Sequence, residues 1–224
     1  MDFFKKRSQI GRDRLSTETM TKGARLITAA EPKNPVSEQF RTLRTNIEFA
    51  SVAKGDVKTL LISSALPSEG KSTITANLAV ACAQQGKKVL LVDADLRRPT
   101  VAVTFGITDN HGLTNYLADA NSDAQAIIHK TSMDKLDVVT SGPVPPNPAE
   151  LLGSGRMTDL VTKLKAAYDL VIFDVPPLLM VTDAQVLMAK MDGVAIVVSG
   201  GKTNKGALKR TNEILQIAEA PLLG

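Results

Sequence analysis

The sequence predicts an α/β fold in a single domain, a mostly parallel sheet flanked by helices. Three observations carry this. Five short, nearly continuous apolar runs rich in Val, Ile and Leu follow residue 58, and stretches of helical length separate them. Runs that are apolar throughout, without alternation, suit strands covered on both faces, and parallel neighbours need long crossovers between them. Composition agrees: 224 residues with 43% hydrophobic and 22% charged content suffice for one packed core and favour neither disorder nor a fibrous class.

The elements follow in order. Residues 1–30 hold seven Lys/Arg against three Asp/Glu, while the remainder balances at 20 of each. This basic lead segment reads as a flexible arm able to touch anionic lipid or an acidic partner, and it lacks the apolar stretch of a signal peptide. No apolar run approaches the ~20 residues of a membrane span. Pro35 opens a helix with an apolar stripe of Val36, Phe40, Leu43, Ile47 and Ala50. Glu38, Arg41 and Arg44 wind along its flank and are expected to face outward. The strands are TLLISSA from Thr59, KKVLLVDA from Lys87, LDVVTS from Leu136, DLVIFDV from Asp169 and GVAIVVS from Gly193. Helices are expected at about 71–85, 112–129, 154–167, 183–191 and 204–219. PVPPNP, Pro143 to Pro148, reads as a turn-rich link. The closing APLLG reads as a strand just beginning, so the sequence is expected to stop short of the natural terminus.

Ala65 to Ser72 reads A-L-P-S-E-G-K-S, a phosphate-loop pattern with alanine in place of its first glycine. The chemistry survives that change. Phosphates need a strand-to-helix turn with inward amides, a lysine for the β and γ oxygens and a hydroxyl for magnesium. TLLISS supplies the strand, STITANLAVACAQQ the helix, and Gly70, Lys71 and Ser72 the functional groups. These features make the domain P-loop NTPase-like. Asp93 and Asp95 end the second strand run, where a period of two puts both carboxylates on one side and magnesium is the natural cation to reconcile them. The structural alternative is that Asp95 caps the next turn and Asp93 pairs with a lysine. Asp174 ends the run DLVIFD as the Walker B acid, a ligand to Mg²⁺ directly or through water.

SEQFRTLRTNIEF, SSALPSEGKSTITANLA, VLLVDADLRRP, PPNPAELL and DLVIFDVPP together resemble the bacterial tyrosine kinases of capsule and exopolysaccharide synthesis, from about Ile27 to the end. The resemblance implies an autophosphorylating protein-tyrosine kinase that uses ATP and Mg²⁺. It implies ATP binding by Ser68, Glu69, Gly70, Lys71, Ser72 and Thr73, a second Walker motif in Asp93 and Asp95, and a metal site of Ser72, Asp95 and Asp174. Glu38, Arg41 and Arg44 would form the ExxRxxR element through which subunits assemble into a ring. Beyond the resemblance, Lys71, Asp93 and Asp95 are expected to carry catalysis, with Asp93 orienting the acceptor hydroxyl as base, since a tyrosyl hydroxyl with a pKa near 10 needs a carboxylate beside it as its proton leaves. The implied partners are a transmembrane polysaccharide co-polymerase-type adaptor, protein tyrosine substrates and a tyrosine phosphatase. The implied place is cytoplasmic, at the inner face of the cell membrane through that adaptor.

Two departures stand out. Ser68 replaces a glycine common in the family, and the tyrosine-rich tail is missing, leaving only Tyr116 and Tyr168 in or beside helical segments. A rival class, the partitioning and division-site switch ATPases, shares the core but carries a lysine where this loop has Leu66. A nucleotide-binding scaffold without turnover is a third reading, disfavoured by the intact set of acids. Nucleic-acid binding has little support, because aromatic content is 4% and the basic excess is confined to the arm. Arg97 and Arg98 are candidates for phosphate contact or a solvated pair. His111 and His129 read as ordinary surface residues, and Cys82 as a small core residue.

Overall fold

The structure, a computed structural model, describes residues 21–224 apart from the side chains of residues 53 and 54. The lead segment as far as residue 20 lies outside the described residues. Its expected continuation to residue 30 is corrected: α1 (Ile27–Ala30) is packed, with Ala24 and Thr28 buried. The Thr28 N–H donates to Asn77 Oδ1 at 3.0 Å, and Asn77 Nδ2 donates to the Arg25 carbonyl at 2.8 Å. α2 (Pro35–Lys54) follows, with Asn34 accepting the Val36 N–H as its cap. Of the expected stripe, Leu43 and Ile47 pack on the core, whereas Val36 is 47% exposed.

The strands are β1 (Thr59–Ser64), β2 (Val89–Asp93), β3 (Ile128–Lys130), β4 (Leu136–Val139), β5 (Leu170–Asp174) and β6 (Gly193–Val197). They form one sheet in the order β3-β4-β2-β5-β1-β6, parallel except for the β3–β4 pair. The closing residues join it as expected: Leu222 bridges Val194 in parallel, and the Leu223 N–H donates to the Val194 carbonyl at 2.8 Å. Between strands lie α3 (Lys71–Gln84), α4 (Val101–Phe105), α5 (Leu113–Ala118), α6 (Pro148–Gly153), α7 (Gly155–Ala167), α8 (Asp183–Met188) and α9 (Lys205–Ile217).

The pleat divides the core. Leu60, Ile62, Leu91 and Ile172 point to the face covered by α3, while Leu61, Leu90, Val92 and Phe173 meet α6, α7 and α8. Burial on both faces is why these strands carry no polar alternation. Cys82 is buried in α3, as expected of a small core residue. Among the described residues no helix is long and apolar enough to cross a membrane.

The expected helix over 112–129 breaks into α5, a 3-10 turn (Ala124–Ile127) capped by Asp123, and the edge strand β3. His129 lies on that strand, half-buried, with its Nε2 2.8 Å from the carbonyl of the exposed His111, a contact at the surface as expected. PVPPNP ends inside α6, where Pro148 occupies the first turn and its missing N–H costs nothing.

Candidate active site

β5 runs between β1 and β2, placing Asp174 opposite Ile62 on one side and Asp93 on the other. The phosphate loop leaves β1 on this edge and enters α3 at Lys71. Its turn uses two left-handed backbones, Gly70 at φ +89° and Ser68 at φ +61°. The second is a strained conformation for serine, held by the surrounding structure. Ala65, the substitute for the first glycine, is fully buried and fits without glycine's freedom.

Lys71 is buried and reaches across to the strand ends. Its Nζ lies 2.8 Å from Asp174 Oδ1, 3.4 Å from Asp95 Oδ2 and 3.2 Å from Ser72 Oγ. Thr75, one helical turn on, adds a hydroxyl bond to Asp174 Oδ1 at 3.3 Å. Burial works against the ammonium, but the charges of Asp174 and Asp95 outweigh it and hold Lys71 above the ordinary lysine value. Burial likewise pushes Asp93 up to about 8, with Asp174's charge adding to the rise, and raises Asp95. Two buried carboxylates, Asp95 and Asp174, thus share one ammonium, with Asp93 buried beside them, and this surplus of acidic groups is the main electrostatic fact of the site.

Both aspartates of the pair also shape the loop after β2. Asp93 Oδ2 accepts the Thr100 and Val101 N–H groups at 2.9 Å each, and Oδ1 accepts the Asp95 N–H at 3.3 Å. Asp95 Oδ1 accepts the Arg98 N–H at 3.0 Å. Half of the structural alternative therefore holds: Asp95 does cap the following turn, but the lysine goes to Asp95 and Asp174 instead of Asp93. Arg97 is neither free nor turned to the loop, since it pairs with Asp183, while Arg98 is exposed.

Glu69 is buried beneath the loop, where Oε2 accepts the Leu66 N–H at 2.9 Å and Oε1 accepts the Thr203 hydroxyl. Ser72 and Thr73 are half-buried at the head of α3. Thr75, Asp183 and Thr203 were missed in the sequence. Thr75 had a signal in its four-residue spacing from Lys71, whereas the other two had none.

Glu38, Arg41 and Arg44 do not act as one outward strip. Glu38 is exposed and pairs with Arg41, whose other nitrogen donates to the Pro32 carbonyl. Arg44 turns inward instead, donating from Nη1 to the Ala81 carbonyl of α3 at 3.0 Å, with its Nε buried and unpartnered. The helix approaches α3 closely enough to catch that guanidinium, which spacing on a single helix does not reveal.

Residues 58–220 match the family model described as an AAA domain. Over 200 residues the chain is 54% identical to the tyrosine-protein kinase YwqD of Bacillus subtilis (strain 168), covering 89% of this chain and 83% of that protein. The chain belongs to the bacterial tyrosine-protein kinases. Solved structures agree: the chimerical protein CapA2B2 superposes with a TM-score of 0.84 at 43% identity, covering 89% of this chain and 87% of the other. The kinase domain of the Escherichia coli tyrosine kinase ETK superposes at 0.85 with 34% identity, over 91% and 79%. A septum site-determining MinD of Pyrococcus horikoshii, at 24% identity, TM-score 0.62 and 75% and 68% coverage, shares the fold alone.

Among bacterial tyrosine kinases an acceptor tyrosine is a natural question, and both tyrosines here are buried. Tyr116 is 1% exposed under Arg156, and the Tyr168 hydroxyl donates to Asp137 Oδ2 at 2.8 Å.

Proposed function

We propose that this chain transfers the γ-phosphate of ATP to the hydroxyl of a protein tyrosine, in an assembly serving capsular or exopolysaccharide synthesis. The observation that carries this reading is Lys71, held at the mouth of the phosphate loop 2.8 Å from Asp174 and 3.4 Å from Asp95. A lysine so placed can pass from the carboxylates to the β and γ oxygens of a nucleotide with little movement. Loop residues from Ser68 to Thr73 would bind the phosphates through amides at the head of α3.

The residues fit Mg²⁺. The surplus of carboxylate over ammonium is what a divalent cation would offset, and Ser72, Asp95 and Asp174 are the oxygen donors that would hold it. Among the described residues no three acidic, imidazole or thiol groups converge as a ready cage. Mg²⁺ needs none, since it keeps waters and phosphate oxygens as ligands. When bound, it supplies neutralisation of charge developing on the phosphates.

Asp93 is proposed to take the acceptor proton from its place opposite Asp174 at the end of β2; the cation that Ser72, Asp95 and Asp174 would hold would favour its ionised form. Its Oδ1 keeps a lone pair beyond the single N–H it accepts. Asp93 has no exposed surface, so the substrate reaches it only when the loop over 94–100 shifts. Neither Tyr116 nor Tyr168 offers an accessible hydroxyl, so autophosphorylation requires a different accepting tyrosine. A transmembrane adaptor, ring-forming self-association through Glu38, Arg41 and Arg44, reversal by a tyrosine phosphatase and a place at the inner face of the cell membrane complete the proposal by resemblance.

The test is incubation with Mg²⁺, γ-labelled ATP, the adaptor's cytoplasmic segment and a tyrosine-rich acceptor, counting phosphotyrosine and free phosphate. Phosphotyrosine lost in Lys71→Met and in Asp93→Asn supports the reading. Free phosphate alone, dependent on Lys71, would point to a switch ATPase, and full transfer by Asp93→Asn would remove its role as base.

A further inference from the structure

We propose that Thr203 is a positioning residue for the nucleotide, acting through Glu69; this rests on the kinase reading above. β6 lies beside β1 with Val197 opposite Ser64, so the chain leaving β6 emerges against the start of the phosphate loop. It then folds into a tight turn. The Lys202 and Thr203 N–H groups both donate to the Ser199 carbonyl at 3.0 Å, and Gly201 adopts φ +76° to allow it. The Ser199 N–H donates back to Thr203 Oγ1 at 3.0 Å. With that lone pair occupied, the hydroxyl proton is free to point away, and it is donated to Glu69 Oε1.

Glu69 is therefore a bridge. Oε2 closes the loop on itself through the Leu66 N–H, and Oε1 ties it to the turn beyond β6. A carboxylate beneath a loop built for phosphates repels its ligand, so its presence calls for a compensating role. Holding the left-handed backbones of Ser68 and Gly70 in place is such a role, because those conformations aim the loop amides. Glu69 is only 7% exposed, so water cannot readily replace a lost donor. Without the hydroxyl, the carboxylate must turn outward to be solvated, releasing Leu66 and loosening the loop.

Thr203→Val keeps the shape and removes the donor; Thr203→Ser keeps the donor. Mg-ATP binding is measured by calorimetry on the full chain, with KM for ATP and kcat on the tyrosine-rich acceptor. The expected result for Thr203→Val is binding weakened about tenfold and a matching rise in KM, with kcat changed less and Thr203→Ser within about twofold of the parent. Glu69→Gln, whose single oxygen can accept the Thr203 hydroxyl or the Leu66 N–H but not both, should weaken binding too, and the double variant should be no worse than the poorer single. If Thr203→Val fails to fold, the Ser and Gln variants carry the test. Unchanged binding in Thr203→Val, impairment of Thr203→Ser equal to it, or effects that multiply in the double variant would overturn the inference. A parent that binds nucleotide but forms no phosphotyrosine sinks the kinase reading and leaves this one judged on binding alone. A parent that binds none overturns both.

Discussion

Arg97 lies against Asp183 with two parallel hydrogen bonds, Nε to Oδ2 at 2.8 Å and Nη2 to Oδ1 at 3.0 Å. Asp183 has no exposed surface and opens α8, whereas the arginine is 44% exposed. The pair fastens the loop after β2 to the helix that follows β5, two segments that both border the candidate site. Replacing Arg97 by alanine strands a buried carboxylate. The expected loss is about 2 kcal/mol, below the full figure for a buried pair because Arg97 is half in water, and urea denaturation would read it.

Asp93 gives the fold a pH dependence of defined sign. Its pKa is raised by burial to about 8, so the folded state holds a proton that the unfolded chain, with a carboxyl at its ordinary value, has released. The stability from this group is complete below the unfolded value and falls as pH rises towards 8. The slope is at most on the order of 1 kcal/mol per pH unit. In Asp93→Asn that slope should vanish. Unfolding both proteins between pH 5 and about 8.5 checks it: the difference between them must move in the variant's favour as pH rises.

Tyr116→Phe and Tyr168→Phe should leave phosphotyrosine yield on an added acceptor unchanged, as counted by mass spectrometry. Tyr168→Phe should nevertheless cost about 1–2 kcal/mol of stability, because Asp137 Oδ2 then keeps only the exposed Lys130 as donor.

Arg44 and Arg41 should separate experimentally. Arg44→Ala removes the link from α2 to the Ala81 carbonyl, so a lowered melting temperature is expected even in a monomer. Arg41→Ala, on a half-exposed ion pair, should change stability by less than about 1 kcal/mol. Light scattering on both variants, beside their melting curves, distinguishes a lost packing contact from a lost subunit contact.

What the sequence made legible was what depends on local pattern. Five strands, the strand-loop-helix around Lys71 and the acids ending β2 and β5 all declare themselves through runs of one character followed by a polar stop. The short elements did not. The turn residues Asn121, Ser122 and Asp123 interrupt what reads as one helix, and the cap from Asp123 sets a 3-10 turn before β3. Side chains whose partners lie far along the chain were also hidden. Arg97 meets Asp183 and Glu69 meets Thr203 because the sheet order brings β5 beside β2 and β6 beside β1, and Arg44 meets Ala81 because α2 packs on α3. The spacing of ExxRxxR describes one helix, and the neighbour that turns Arg44 inward belongs to another.

Residues 221–224 pair with β6 and so cover its outer ladder. An open strand offers a ladder of N–H and C=O groups to any passing chain. Here the outer side of β6 is taken by residues 221–224, which give or receive hydrogen bonds at Val194 and Ile196. The opposite border is the three-residue β3, antiparallel and ending in the exposed Lys130, a poor template for further pairing. Without the bonds from residues 221–224 the β6 ladder would lie open, a template on which another chain could pair.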